Sequence, residues 1–127
     1  MNSIVIIPTY NEIENIEKII AAVFNEVKDI NILIVDDNSP DGTAAAVEKL
    51  MTNNNRLHLI KRAGKLGLGS AYCDGFRYCI ANNFDFIFEM DADFSHDPKE
   101  LPNFLEAIKD NDLVIGSRYL TGMNVVN

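Results

Sequence analysis

Short apolar runs alternate with segments of helical periodicity along the whole chain. The first run, residues 4–7, is an unbroken β-branched stretch, as expected for a buried parallel strand. The other predicted strands are 30–35, 57–60, 84–90 and 113–115. Between them, apolar residues recur at the spacing of amphipathic helices, from about residues 13, 43, 71 and 98. The alternation predicts an α/β fold: a Rossmann-like, mostly parallel sheet with helices on both faces and right-handed crossovers.

Local signals predict several element boundaries. Pro8 is expected to end the first strand, and Asn11 is expected to cap the first helix, with Glu14 in capping-box position. Asp97 is expected to cap the last helix, with Pro98 at its first position. The predicted buried face of the third helix consists of Ala71, Tyr72, Gly75, Phe76, Cys79 and Ile80.

Length and composition indicate one folded domain. The chain has 127 residues, of which 47% are hydrophobic, enough for a real core. Its net charge of −8 disfavours a nucleic-acid partner and docking on anionic lipid by charge alone. There is no secretory signal pattern, and no apolar run approaches the ~20 residues of a membrane helix. Cys73 and Cys79 diverge on one predicted helix, so we expect reduced thiols, as in the cytoplasm.

Polar residues concentrate where predicted strands end. In parallel sheets, ligands bind beyond the carboxyl ends of the strands. This rule selects residues 8–12, 36–37, 91–95 and 116–118. These segments are therefore the candidates for a functional site.

Asp91 and Asp93 follow a strongly apolar predicted strand. In an extended segment, side chains two residues apart point to the same side, so these carboxylates would repel unless a divalent cation joined them. The alternative is helix capping in a solvated turn, and the two carry about equal weight. His96 is either an extra ligand or a hydrogen-bonding residue, and the residues do not separate these possibilities.

The other segments allow both a ligand contact and a plain structural role. Tyr10 offers a flat face to a base and Glu12 an acceptor to ribose, but these two residues taken alone favour a half-buried aromatic and a first-turn carboxylate. Asp37 is the ligand candidate of its pair, whereas Asp36 is expected to be structural. Arg118 could bind a diphosphate or be an ordinary surface arginine.

Taken together and in order, these segments resemble family 2 glycosyltransferases of the GT-A fold. More narrowly, the chain is similar to dolichyl-phosphate (polyprenol-phosphate) mannosyltransferases. The resemblance covers nearly the whole chain, and the narrower match depends mainly on SPDGT, GLGSAY and DADFSH. The matching segments are IPTYNE (7–12), VDDNSPDGT (35–43), GKLGLGSAY (64–72), MDADFSH (90–96) and GSRY (116–119).

The resemblance implies a role for each matching residue. It implies that Asp93 is the stronger metal ligand, with Asp91 and the Ala92 backbone against the sugar diphosphate, and that Ser95 offers a further oxygen to Mg²⁺ or Mn²⁺. Arg118 would bind the diphosphate or the acceptor phosphate, and the implied catalytic residues are Asp91, Asp93 and Arg118. The implied nucleoside contacts are Pro8, Tyr10, Glu12, Val35 and Asp37, the last on guanine or ribose.

The implied reaction is metal-dependent, inverting transfer of mannose from GDP-mannose to a polyprenyl (dolichyl) phosphate. The acceptor phosphate is already an anion, so no strong general base is required. The resemblance places this hexosyltransferase in the cytoplasm, at the cytoplasmic face of a membrane, as part of cell-envelope glycosylation. It leaves open a homo-oligomer or a membrane-anchored partner.

One departure from the family pattern affects the expected activity. Family members continue well beyond GSRY, into a membrane-facing, acceptor-binding part, whereas this chain ends at Asn127. We therefore expect residues 1–127 to be a single nucleotide-sugar-binding domain, truncated at its C-terminus, with weak transfer or none. The alternatives are a UDP-sugar transferase, a donor-binding domain without turnover and, more remotely, a haloacid-dehalogenase-like phosphatase.

Overall fold

The computed structural model describes residues 2–109 in full, and the backbone of two further strands at 113–116 and 123–126. The strands are β1 (Ser3–Thr9), β2 (Asn31–Asp36), β3 (Leu57–Lys61), β4 (Phe86–Glu89), β5 (Leu113–Gly116) and β6 (Met123–Val126). The helices are α1 (Ile16–Glu26), α2 (Thr43–Met51), α3 (Leu68–Ala81) and α4 (Leu101–Ile108), the last preceded by a 3₁₀ turn at Pro98–Glu100. In the described part of the chain, no helix has the length and apolar character needed to cross a membrane.

Four parallel strands form the main sheet, in the order β3-β2-β1-β4. Successive residues of β1 and β2 point to opposite faces, and both faces are buried. Val5 and Ile7 pack with α1 and α2 on one face, whereas Ile4 and Ile6 pack with α3 on the other. The predicted α/β architecture with helices on both faces is confirmed.

The fifth predicted strand does not extend this sheet. β5 pairs antiparallel with β6, with Leu113 opposite Val126, in a separate two-stranded sheet. β6 was not among the predicted strands. Two antiparallel strands need only a short connection between them, and β6 is the antiparallel partner of β5.

Pro8 lies inside β1, so the prediction that it ends the strand is wrong. The Ile6 carbonyl accepts from the Met90 amide, so the backbone N–H and C=O groups of the even-numbered residues of β1 point toward β4. Pairing with β4 stops at Glu89, opposite Ile6, so the missing N–H of Pro8 falls beyond the end of β4. On the other side, the Thr9 carbonyl accepts from the Asp37 amide and continues the pairing with β2.

The predicted start of α1 is also wrong. The helix begins at Ile16, with Asn15 in the cap position and no side-chain capping bond. Asn11 has a φ of 56°, in the left-handed region, and does not cap the helix. Asp97 does act as predicted, because its side chain accepts from the Lys99 amide in front of Pro98.

One face of α3 packs closely on the sheet. Ala71, Gly75 and Cys79 are buried, but Ile80 is 69% exposed, so its predicted place on the buried face is wrong. Cys73 is exposed and Cys79 is buried, which confirms that the two thiols point apart. Gly75 allows the helix to approach the buried side chain of Ile6.

We predict that Gly75→Ala destabilises the fold. The added methyl would lie 2.8 Å from Cγ2 of Ile6, closer than real contacts allow. Overpacking of this kind costs roughly 1–3 kcal/mol, against a helix-propensity gain of at most about 1 kcal/mol. Urea unfolding should therefore show a lower free energy of unfolding for the variant. Gly69→Ala is the matched control, because no atom lies within 4 Å of its added methyl, and equal stability of the two variants would contradict this packing argument.

Candidate functional site

The loops that follow β1 to β4 all leave the sheet at one end, because the strands are parallel. We call this the carboxyl end of the sheet. The loops are β1–α1 (residues 10–15), β2–α2 (37–42), β3–α3 (62–67) and β4–α4 (90–100). Three of the four segments predicted from the sequence lie here. The fourth contains Arg118, which lies outside the described residues.

The β1–α1 loop is fixed by side chains of the β2–α2 region. Three consecutive amide groups donate to them: Asn11 to Ser39 Oγ (2.8 Å), Glu12 to Thr43 Oγ1 (3.1 Å) and Ile13 to Asp41 Oδ2 (3.1 Å). These bonds replace the capping box that the sequence predicted. They hold the backbone that carries Tyr10 and Glu12.

Tyr10 presents an aromatic ring at this end of the sheet and is 37% exposed. The Lys65 ammonium lies 4.7 Å from the ring centroid, a cation–π contact from the β3–α3 loop. Glu12 is half-buried and accepts from Asn15 Nδ2 at 3.4 Å. Pro8 is half-buried, but Val35 is fully buried in the core against α3. The nucleoside contacts implied for these residues stay predictions.

Asp36 has the structural role that the sequence predicted. Its carboxylate is fully buried and accepts from Thr9 Oγ1 at 2.6 Å. It also accepts from the amide of Ser39 at 2.9 Å and from its hydroxyl at 2.7 Å. Asp36 thereby joins the end of β1 to the β2–α2 loop.

Asp37 forms an ion pair that the sequence analysis missed. Asp37 is 6% exposed, and the Arg62 guanidinium binds both carboxylate oxygens, Nε to Oδ1 at 2.7 Å and Nη2 to Oδ2 at 3.3 Å. The Leu66 amide donates to Oδ2 at 3.2 Å. Burial alone would lower the pKa of Arg62, but hydrogen bonds and charge from Asp37 and Asp74 outweigh it and raise that pKa.

A signal for Arg62 is present in the sequence. Arg62 comes directly after β3, at the carboxyl end of a parallel strand, which is where ligands are expected to bind. The four candidate segments did not include this strand end. The partners of Arg62 could not be found in the same way. Asp74 lies in the middle of α3, far in sequence from the end of either neighbouring strand, and only the packing of the helix brings it near.

Ser95 links the two aspartates of the β4–α4 loop. Its amide donates to Asp93 Oδ1 at 3.0 Å and its hydroxyl to Asp91 Oδ2 at 3.1 Å. The segment is a turn with Phe94 in the left-handed region, at a φ of 64°. The expected extended geometry is therefore wrong, and it is Ser95 that brings the three side chains of the predicted metal site together. The Ser95 hydrogen bonds also hold the pKa of Asp93 below its ordinary value of 3.8.

Two further side chains fix Asp91. The Tyr72 hydroxyl donates to its Oδ1 at 3.4 Å, and the Asp91 amide donates to His96 Nδ1 at 3.1 Å. Burial and the charge of Asp91 raise the pKa of Tyr72, which therefore remains a donor at neutral pH. The contact of His96 favours the hydrogen-bonding role that the sequence left open.

The residues of this turn fit a hard divalent cation. Asp91 is half-buried, Asp93 and Ser95 are exposed, and all three offer oxygen atoms. Among the described residues, no three His, Cys, Asp or Glu side chains are grouped to hold a metal.

A concavity of about 650 Å³ lies elsewhere in the molecule. Its lining comes from the C-terminal ends of α1 and α2 and from residues 52–56, before β3. This is the opposite end of the sheet from Asp37 and Asp91. Volume alone therefore does not locate the predicted site, and the chemistry of the loops is the better guide.

Residues 4–127 match the profile of glycosyl transferase family 2. The chain belongs to this family. Membership confirms the resemblance found in the sequence and overturns the remote dehalogenase-like phosphatase alternative.

Curated relatives align with nearly the whole chain. An undecaprenyl-phosphate mannosyltransferase of Micrococcus luteus is 43% identical over 100% of this chain and 52% of its own length. A polyprenol monophosphomannose synthase of Mycolicibacterium smegmatis is 45% identical over 98% of this chain and 48% of its own length. A dolichol-phosphate mannosyltransferase of Pyrococcus furiosus is 40% identical over 97% of this chain and 35% of its own length. The chain thus spans about half or less of the length of these relatives.

Solved structures share the fold at lower identity. The mannosyltransferase PcManGT of Pyrobaculum calidifontis, in complex with GDP-Man and Mn²⁺, aligns with a TM-score of 0.70 and 24% identity, over 85% of this chain and 31% of that one. TarS of S. aureus, residues 1–349, aligns with a TM-score of 0.71 and 24% identity, over 88% and 33%. The GT-A fold expected for family 2 is thereby confirmed.

We predict that Asp41 stabilises the β1–α1 loop in a pH-dependent way. Burial alone would raise the pKa of Asp41, but hydrogen bonds from Thr43 and Ile13 outweigh it and hold the pKa below 3.8. The unfolded chain then takes up the proton first, so this stabilisation is complete above about pH 5 and is lost progressively as the pH falls further. Asp41→Asn should lower the free energy of unfolding at pH 7 by on the order of 1 kcal/mol.

Urea unfolding at a series of pH values checks this prediction. From about pH 5 down to about pH 3, the variant should lose less stability than the wild type does. Asp29→Asn is the matched control, because the Asp29 side chain is 91% exposed. Parallel stability curves for wild type and Asp41→Asn would show that Asp41 does not contribute in this way.

Proposed function

We propose that this chain is the donor-binding part of a polyprenyl-phosphate mannosyltransferase that uses GDP-mannose and a divalent cation. The observation that carries the proposal is the turn in which Ser95 joins the carboxylates of Asp91 and Asp93, at the same end of the sheet as Tyr10 and Asp37. Identities of 40–45% to three mannosyltransferases of lipid phosphates support the reaction class.

In this proposal the carboxyl end of the sheet binds the donor in two parts. Asp93, Asp91 and Ser95 would hold Mn²⁺ or Mg²⁺, which would supply positive charge against the diphosphate. Tyr10 would contact the face of the base and Asp37 the guanine or the ribose. The remaining proposed contacts are Pro8, Glu12, Val35, the Ala92 backbone and Arg118.

The proposed chemistry places modest demands on the protein. An acceptor phosphate is already anionic at pH 7, so it needs no base to activate it, and a single displacement would invert the sugar carbon. The protein must hold two anions close together and stabilise the departing diphosphate. The hydrogen bonds from Tyr72 and Ser95 would orient Asp91 for this purpose.

The choice of donor base has one specific competitor. PcManGT was solved with GDP-Man and Mn²⁺, whereas TarS was also solved with UDP, and both share this fold. The three curated relatives favour mannose transfer, which supports the guanine nucleotide. A UDP-sugar donor is therefore the second candidate.

We place the proposed reaction at the cytoplasmic face of a membrane. A polyprenyl phosphate carries its phosphate on a lipid chain, so the transfer has to take place at a membrane surface. Both cysteines are free, which fits a reducing compartment. A membrane-anchored partner or a second copy of the chain stays a prediction.

We predict that calorimetric titration in the presence of Mn²⁺ will show tighter binding of GDP and GDP-mannose than of UDP. Asp93→Ala should weaken Mn²⁺-dependent GDP binding on the order of tenfold or more, because it removes a ligand oxygen. Asp97→Asn is the matched control, since Asp97 lies in the same loop but caps the 3₁₀ turn.

Three outcomes of this titration bear on the proposal. Equal, weak binding of every nucleotide with or without Mn²⁺ would contradict the donor assignment. Preference for UDP would favour the second candidate. Tight GDP-mannose binding without mannose transfer to a polyprenyl phosphate would identify a donor-binding domain without turnover.

A further inference from the structure

Arg62 is a buried cation with no free hydrogen-bond donor. Its side chain is 3% exposed, and a guanidinium has five N–H groups. Five acceptors surround it: Asp37 Oδ1, Asp37 Oδ2, Asp74 Oδ2, Ser70 Oγ and the Gly67 carbonyl. Arg62 therefore has no N–H left for a ligand, and any effect on ligand binding has to pass through its partners.

The first of these partners is Asp37. Nε and Nη2 bind its two oxygens side by side, a bidentate geometry that fixes the plane of the carboxylate. The Arg62 amide also donates to the Asp36 carbonyl at 2.8 Å, which anchors the backbone of Arg62 beside Asp37. A lysine would keep the charge but not the planar fork.

The second partner is the β3–α3 loop. Arg62 Nη2 binds the Gly67 carbonyl at 3.3 Å, and Asp37 accepts from the amide of Leu66 at 3.2 Å. The preceding residue, Lys65, lies over the ring of Tyr10. The same guanidinium thus supports the carboxylate proposed to meet the nucleoside and the loop that contacts the proposed base platform.

We propose that Arg62 is a positioning residue for nucleoside recognition: it orients Asp37 and the β3–α3 loop and so sets the affinity for the nucleoside without touching it. The inference rests on the proposed function. A buried ion pair adds little net stability compared with apolar packing, because burying both charges is costly. Orienting Asp37 is a function of this ion pair that its small contribution to stability does not account for.

The test separates the nucleoside from the diphosphate. Arg62→Lys is titrated with GDP and with inorganic pyrophosphate, both in the presence of Mn²⁺. We expect the Kd of GDP to rise on the order of tenfold, and the Kd of pyrophosphate, which has no nucleoside, to stay within about twofold of wild type. A general loss of structure would weaken both.

Arg56→Lys is the matched control. Arg56 precedes the same strand, β3, at its other end, and it also pairs with an aspartate, Asp29. That pair is exposed, at 42% for Arg56 and 91% for Asp29. We expect both Kd values of this variant to match the wild type.

A double-mutant cycle tests whether Arg62 acts through Asp37. In an Asp37→Asn background, Arg62→Lys should raise the Kd of GDP by less than about threefold, because the residue that it orients has already changed. If Arg62→Lys does not fold, Asp74→Asn replaces it. This change removes one charged partner of the guanidinium at a half-exposed position, and the Kd of GDP should still rise on the order of threefold with pyrophosphate unaffected.

Two results would overturn the inference while the proposed function stands. One is a folded Arg62→Lys variant that binds GDP as the wild type does. The other is an equal loss of GDP and pyrophosphate binding, which would make Arg62 a structural residue only. If the wild-type chain binds pyrophosphate but gains nothing from the nucleoside of GDP, UDP or GDP-mannose, the proposed function fails and the inference fails with it.

Discussion

The parallel pairing of β1 with β2 and β4 is the constraint on which the rest of this structure depends. It sends the loops after four strands to one end of the sheet, and its central strands β1 and β2 are buried on both faces. Because the register is fixed residue by residue, the ends of β1 and β2 finish level, with Thr9 opposite Asp36. The side chains that follow are then close enough to bond one another, as the β1–α1 and β2–α2 loops do.

Two adjacent aspartates at the end of β2 have different partners because their side chains point to opposite sides of the strand. Successive residues of a strand point to opposite sides. Asp36 points into the bonds that close the first two loops, while Asp37 meets the guanidinium of Arg62 on the side of α3. Neighbours in sequence thus become parts of two different networks, one made of hydroxyl and amide donors and the other of a buried ion pair.

The parts of this arrangement that local chemistry sets could be predicted from the sequence. The start of α2, the four strands of the parallel sheet and the structural role of Asp36 follow from apolar runs and turn residues. Pro8 and Asn11 were misread because their roles depend on distant partners: the end of β4 in one case and Ser39 in the other. The contacts of Arg62 depend on residues from β2, the β3–α3 loop and α3, and no local pattern reports such a combination.

The acidic residues at the carboxyl end of the sheet are not neutralised alike. Asp37 has a cation inside the protein, and its charge is balanced before any ligand arrives. Asp91 and Asp93 have hydroxyl and amide donors but, in the part of the chain that the structure describes, no ion pair. Hydrogen bonds orient two carboxylates without cancelling their charge, and both lie where solvent reaches them. A divalent cation at this point would offset both carboxylate charges, and a diphosphate would be attracted by the same cation. The charge of Asp37 is thus balanced by Arg62, whereas the charges of Asp91 and Asp93 are not balanced by a described residue. This difference is compatible with the proposed ligand, which has a neutral nucleoside at one end and an anionic diphosphate at the other.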